Sequence, residues 1–138
     1  MNISVSMRGN LLTDIKTAII TNITSTDRKI YFYGSANPAV ILCSILFDDL
    51  INLSTIGDIA SYLFSSSNGV TLRDTVVESG IVKTFNIWGR VNISDPINTS
   101  FITGTVGVLT SSADMRFNKI NWQIGQNITI TNLYLTMK

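Results

Sequence analysis

The chain has 138 residues, of which 45% are hydrophobic and 14% charged, with a formal net charge of +1 and no histidine. This length supports one domain with its own core, and the near-neutral charge argues against attraction to nucleic acid through a basic face. Without histidine, a Ser-His-Asp triad, a Cys-His pair and a His-ligated metal are excluded. A surface poor in charges loses its water cheaply, which favours a subunit buried against other proteins. An AT-rich genome, which inflates Ile, Asn and Lys codons, explains the composition equally well.

The first residues alternate between apolar and polar side chains. If the segment is extended, Ile3, Val5 and Met7 share one side and the residues between them share the other. We expect Met1 to Met7 to be an assembly arm that becomes ordered when it pairs with the sheet edge of a neighbouring subunit, as in β-augmentation. An equally weighted alternative is that these residues form the first strand of the domain's own sheet.

A short helix and two strands are predicted next. Asn10 can cap the helix, and one apolar face runs from Leu11 to Thr21, where β-branched residues disfavour continuation. The run Arg28 to Gly34 is rich in aromatic residues and predicts a strand. Val40 to Phe47 is almost continuously apolar, which predicts a strand buried on both faces.

The middle of the chain is less regular. Ser54 to Phe64 can form a second helix, although Gly57 weakens it. Asn68-Gly69 is a favourable hairpin turn, and Val70 to Glu78 predicts another strand. This stretch leaves open whether the domain has one helix or two.

From Ile81 onward, short alternating apolar runs are separated by Asn, Ser, Gly and Pro, the pattern of half-buried strands. Gly104 and Gly107 lie inside these runs, where glycine marks a bulge or a close backbone approach. A slip of the apolar parity predicts a β-bulge at Thr131-Asn132. We therefore expect residues 1–138 to form a single all-β domain, an antiparallel, jelly-roll-like sandwich with a short N-terminal helix.

Few residues are suited to catalysis or metal binding. The lone Cys43 lies in an apolar run, so we expect it to behave as a small hydrophobe, and it cannot form a disulfide within one chain. Asp48 and Asp49 are adjacent, so in a strand their side chains point to opposite faces and cannot share a metal ion. We expect no enzymatic activity, no catalytic residue, no cofactor and no structural metal.

The sequence also gives no signal for export or for membrane insertion. The first ten residues have neither the charged n-region nor the apolar h-region of a signal peptide. No apolar run approaches the ~18 residues of a membrane span. We expect the protein to be made in a cytoplasm and to have neither nucleic-acid nor membrane partners.

Four side chains beyond the arm are candidates for a protein interface. Trp88 and Arg90 share a strand parity, and an exposed Trp beside an Arg is typical of an interface hot spot. A tryptophan buried in a two-faced strand is the equally weighted alternative. Tyr31 and Tyr33 also share a parity and could form a stacking platform, for sugars rather than for nucleic acid because no basic groove accompanies them.

Several segments of the chain follow one another in a recognisable order. They are RKIYFYG, the proline turn SANPA, ILCSILF, FNIWGRVNISD and FITGTVGVLTSSADMRFNKINWQIGQNITITNLYLTM. This order resembles a widespread group of small virion proteins of tailed bacteriophages, and it covers roughly residues 11–47 and 81–138. The positions that match the pattern of that group are Trp88, Arg90, Asp95, Gly104, Gly107, Ser112, Ala113, Asp114, Gly125 and the slip at Thr131-Asn132.

The resemblance implies a non-enzymatic structural subunit of a virion. The role it favours is a capsid cement or decoration protein on the particle surface, bound in many copies to the major capsid protein or to other virion proteins and forming homo-oligomers. A head–tail or tail component is the alternative within the virion. Outside it, the alternative is a glycan-binding β-sandwich module that uses Tyr31, Tyr33, Trp88 or Trp122 as platforms.

Overall fold

A computed structural model of the protein describes residues 13–35, 40–52, 60–67 and 69–137. The strands of the described part are β1 Lys29–Gly34, β2 Ile41–Leu46, β3 Asp49–Asn52, β4 Ala60–Ser65, β5 Leu72–Thr75, β6 Gly80–Trp88, β7 Ser100–Val108, β8 Met115–Phe117, β9 Asn121–Trp122, β10 Asn127–Ile130 and β11 Tyr134–Met137. A short 3-10 helix over Ser25–Asp27 precedes the first strand.

The predicted N-terminal helix is confirmed from residue 13 onward, and residues 11 and 12 lie outside the described part. Residues 13–16 form an α-helical turn, which continues as a π-helical turn over Thr17–Thr21. Ile19 is fully buried, and its side chain reaches the backbone at Gly89, at the end of β6. The helix therefore packs on the end of the sheet through its apolar face.

Six strands form the largest sheet, in the order β2-β1-β6-β7-β8, with β9 pairing with β6 beside this path. The β7–β8 pair is parallel, whereas the other pairs in this sheet are antiparallel. The other two sheets are β10-β5 and β11-β4-β3. The largest sheet approaches β5 at its β2 edge, where the Val77 N–H donates to the Leu42 carbonyl at 2.8 Å.

The core lies between the sheets, because alternate residues of each strand face inward. Phe32 on β1 has no exposed surface, and its ring meets Trp122 edge-on with centroids 5.4 Å apart. Phe47, in the connection between β2 and β3, meets Phe64 of β4 in the same way at 5.0 Å. Burying one such side chain contributes roughly 1.5–3 kcal/mol. The fold is an all-β, antiparallel-rich sandwich with one short helix, as the sequence predicted.

Two element predictions are corrected. The second helix predicted for Ser54 to Phe64 is wrong in its described part, because Ala60–Ser65 is strand β4, paired with β3 and β11. The strand predicted at Val40 to Phe47 is present as β2, but it is not buried on both faces, since Ile41 and Leu46 are 38% and 41% exposed.

The β-bulge predicted at Thr131-Asn132 is instead a break between two strands of different sheets. β10 pairs with β5, and β11 pairs with β4. Ile128 is buried and Leu135 packs against the core, although they have opposite parity. The change of sheet, rather than an inserted residue, places both side chains inside.

At Gly104 and Gly107, where the sequence predicted a bulge or a close backbone approach, it is neighbouring side chains that pack directly against the glycine. A Cβ added at Gly104 would lie 2.5 Å from Cε1 of Phe85, and one added at Gly107 would lie 2.4 Å from Oγ of Ser111. Both distances are shorter than any real carbon contact, so larger residues here would force the neighbouring side chains to move.

Candidate functional site

Tyr31 and Trp88, two of the predicted interface residues, lie together on the outer face of the largest sheet. Their rings stack with centroids 4.3 Å apart and planes 24° apart. Tyr31 is only 6% exposed, whereas Trp88 is half-buried. Burial, with a smaller contribution from the Asp27 carboxylate, raises the pKa of Tyr31 to about 12. Trp88 is therefore the ring of this pair that a partner molecule could reach.

Tyr33 lies beside an open cavity of about 520 Å³ on the same face. Its lining residues are Tyr33, Thr84, Phe85, Asn86, Thr103, Gly104 and Thr105. The Asn86 Nδ2 donates to Ser100 Oγ at 2.8 Å, while Asn86 Oδ1 is buried and finds no donor in the described part of the chain. Buried polar atoms are almost always hydrogen-bonded. The cavity thus presents hydroxyl groups and an aromatic ring, whereas the buried amide oxygen of Asn86 is not exposed to it.

Arg90, which shares the strand parity of Trp88, lies beyond the end of β6 and binds backbone carbonyls of its own chain. Its Nε donates to the Asn22 carbonyl at 2.8 Å, and its Nη1 donates to the Ile93 carbonyl at 2.8 Å. Asn22 Nδ2 donates in return to the Arg90 carbonyl at 2.8 Å. The side chain joins the helix to the loop after β6, and its role in an interface stays a prediction.

The remaining predicted positions divide into two groups. Ile3, Val5 and Met7 lie outside the described residues. Trp122 is 1% exposed and packs edge-on against Phe117 at 5.3 Å. Trp122 therefore cannot act as an exposed platform for a sugar, and neither can the buried Tyr31.

Sequence reasoning missed a set of exposed aliphatic side chains at one end of the molecule, which we call the apolar end. Its members are Val40, Ile41, Val77, Ile81 and Ile124, with exposures of 40%, 38%, 63%, 43% and 65%. They come from the start of β2, the chain between β5 and β6, the start of β6, and the turn before β10. Clustered exposed apolar side chains of this kind mark interaction surfaces.

Hydrogen bonds hold the segments of the apolar end side by side. The Val77 N–H donates to the Leu42 carbonyl at 2.8 Å, and the Ile124 N–H donates to Ser79 Oγ at 2.9 Å. Ile81 pairs with Asn121 of β9. One sequence signal was available, since an isoleucine beside Gly125, whose φ is 89°, is an unusual apolar residue for a turn.

Asp114 protects the edge of β7. Its Oδ2 accepts the backbone N–H of Thr105 at 2.9 Å and the hydroxyl of Thr105 at 3.1 Å. These hydrogen bonds to the ionised carboxylate lower the pKa of Asp114 below its usual value. The carboxylate occupies the place where a further strand would bind, which blocks edge-to-edge pairing at this point.

Cys43 is fully buried, and its Sγ lies 3.6 Å from the Thr75 carbonyl. Burial raises the pKa of the thiol to about 12, and the Asp74 carboxylate adds to the effect. A thiol in this state is a poor nucleophile, and Cys43 packs as the small hydrophobe that the sequence predicted.

Within residues 13–35, 40–52, 60–67 and 69–137, no group of three or more His, Cys, Asp or Glu side chains could hold a metal ion. No helix in the described part is long and apolar enough to cross a membrane. Comparison of the chain with protein-family models, with curated proteins and with solved structures finds no match.

Proposed function

We propose that this protein is a structural subunit of a tailed-bacteriophage virion, a cement or decoration protein that binds the capsid shell in many copies without catalysing a reaction. The apolar end is the observation that supports this proposal most directly. Its five side chains are aliphatic and 38–65% exposed, and they lie on strand ends and turns whose backbone is fixed by hydrogen bonds. A preorganised surface of this kind loses little conformational freedom on docking.

The energetics favour docking on a repeated surface rather than on a single free partner. Complete burial of an aliphatic side chain contributes roughly 1.5–3 kcal/mol, and these side chains are already partly covered. Association costs roughly 4–15 kcal/mol in lost freedom of motion. A single small patch therefore binds weakly. When one copy contacts both the shell and neighbouring copies, each contact raises the effective concentration of the copy for the next contact, so the contacts together bind it more tightly.

The partner in this proposal is the major capsid protein or another virion protein, with a head–tail or tail location as the alternative. Mass spectrometry of purified particles from a phage that encodes this chain tests the assignment. We expect the chain in many copies per particle. Its absence from purified particles would overturn the proposal, and a few copies at one vertex or along the tail would favour the alternative location.

A second candidate function, glycan binding, is favoured by the cavity beside Tyr33. Sugars bind to proteins through aromatic faces and through hydroxyl groups, and the cavity supplies both. A glycan array followed by calorimetry would test it. Binding should be lost in Y33A and T84A, which change exposed or half-buried lining residues, and kept in the control S67A, which changes an exposed turn residue outside the cavity. Binding that survives both cavity substitutions would place the glycan elsewhere.

A further inference from the structure

A cleft runs between the edges of two strands that belong to different sheets. One cavity of about 480 Å³ is lined by residues 114–117 on one side and residues 129–133 on the other. A second cavity of about 300 Å³ continues it, with residues 117–119 and Trp122 facing residues 126–129. Residues 114–117 face residues 129–133, and the later residues 117–119 face the earlier residues 126–129. The two walls of the cleft therefore run antiparallel.

Both walls of the cleft present strand edges. β8 pairs with β7 on one side, and β10 pairs with β5 on one side. In the described part of the chain, the other edge of each strand takes part in no strand pairing and no backbone hydrogen bond. Unpaired edges of this kind bind an additional strand readily.

The floor of the cleft suits the side chains of such a strand. Phe117 and Ile130 line it and are partly buried against the core. Phe117 also contacts Trp122 edge-on at 5.3 Å. An inserted strand would place every second side chain on this apolar floor and the others towards solvent. The nearby edge of β7 is closed by Asp114, whereas the edges that border the cleft have no comparable block among the described residues.

The chain itself contains a segment that fits. Residues 2–7 alternate between polar and apolar side chains and carry no charged side chain. Six extended residues span about 20 Å, enough to run past the whole of β8 and of β10, which have three and four residues. The described structure begins at Thr13, whose hydroxyl is anchored to the domain 3.5 Å from Tyr62 Oη. The five residues 8–12 between this point and the segment can span up to about 17 Å.

We propose that residues 2–7 of one copy insert as a strand into the cleft between β8 and β10 of a neighbouring copy. Among the described residues no strand fills the cleft, and a neighbouring copy can supply one because the proposed function brings many copies together. A donor segment at one place and an acceptor cleft at another make a head-to-tail contact, which links copies into rings or chains. The inference rests on the proposed function only in assuming that the protein acts in many copies.

Disulfide trapping between two singly substituted chains tests the proposal. V5C places a thiol on the donor segment, and T129C places one at an exposed position that borders both cavities. Cys43 can stay in place because its buried thiol does not compete. Under mild oxidation, a mixture of tagged V5C and untagged T129C should give at least ten times more heterodimer than the control mixture of V5C with I93C, which carries its thiol on an exposed loop residue.

Several outcomes would overturn the proposal. Equal heterodimer yields in both mixtures would show that the cleft is not the acceptor. In the doubly substituted chain V5C/T129C, a disulfide formed mainly within one monomer at every protein concentration would show that the segment binds its own domain. T129C could also form disulfides equally well with a cysteine at an unrelated site of another chain. That result would show only that position 129 is accessible, not that the cleft binds residues 2–7.

A synthetic peptide provides a second readout that needs no cysteine. Added to a chain lacking residues 2–7, the peptide of residues 1–9 should slow amide hydrogen exchange in β8 and β10, and unchanged exchange would contradict the inference. If the shortened chain does not fold, the trapping experiment alone decides. Both experiments use purified protein without particles, so trapped oligomers of a chain that is absent from virions would refute the proposed function and leave the cleft assignment intact. Incorporation of the chain into particles without any disulfide trapping would support the proposed function and refute the cleft assignment.

Discussion

Cys43 is the residue whose chemistry the structure constrains most simply. Its pKa of about 12 means that the reactive thiolate is rare at pH 8, whereas a free cysteine with a pKa near 8.5 is substantially ionised there. We expect a thiol reagent such as Ellman's reagent to modify the native protein at least about 1000-fold more slowly than the unfolded chain. Modification of the folded protein at the rate of a free thiol would show that Cys43 is accessible and that this part of the core is misplaced.

Asp114 gives a prediction for the pH dependence of stability. Its pKa is lowered in the folded state, so its ionised form stabilises the protein above the ordinary carboxyl pKa, and this contribution is lost as the pH falls through the lowered value. D114N should lower the melting temperature at pH 7, and the difference from the parent protein should shrink below pH 4. The exposed S112A is a matched control. An unchanged difference across this pH range would show that the carboxylate charge is not involved.

At the scale of elements, alternation predicted β6 and β7, and apolar or aromatic runs located β1 and β2 without giving the burial of β2 correctly. The helix predicted at Ser54 to Phe64 failed because a short apolar run fits both periods, and pairing with β3 and β11 decided its described part in favour of a strand. The break between β10 and β11 was read as a bulge because a parity slip does not reveal which strand each half pairs with.

Arg90 connects two elements, and its replacement tests whether it is structural or part of an interface. Hydrogen bonds from a charged donor contribute about 1.5–3 kcal/mol, so R90A should lower the free energy of unfolding by about 2 kcal/mol in urea titrations. R90K keeps the charge but not the forked geometry, and it should recover only part of the loss. If R90A retains full stability but loses partner binding, Arg90 is an interface residue as the sequence first suggested.

At the scale of the whole molecule, the candidate docking surface could not be read from the sequence. The apolar end is assembled from three separated parts of the chain, around residues 40–41, 77–81 and 124, and each looks unremarkable alone. The fold brings them together through the contact of β2 with the chain after β5 and through the pairing of β9 with β6. Surface apolar residues carry no periodic signal, so topology must be known before such a patch can be recognised.

The apolar end predicts a selective loss of docking. V77D and I124D each put a charge on side chains that are 63% and 65% exposed, so both variants should fold normally. Each should reduce incorporation into particles at least about tenfold, because burying an unpaired carboxylate is costly. I93D is the matched control, since Ile93 is 73% exposed on the loop that follows the opposite end of β6. Equal loss in I93D would point to a general defect rather than to docking.

The most direct measurement is a cryo-EM map of particles from a phage that encodes this chain. We expect repeated density on the shell that fits the described sandwich, with Val77 and Ile124 turned towards the shell protein. Particles without this density, or density in which the apolar end faces solvent, would contradict the claim that this protein is a shell-binding subunit.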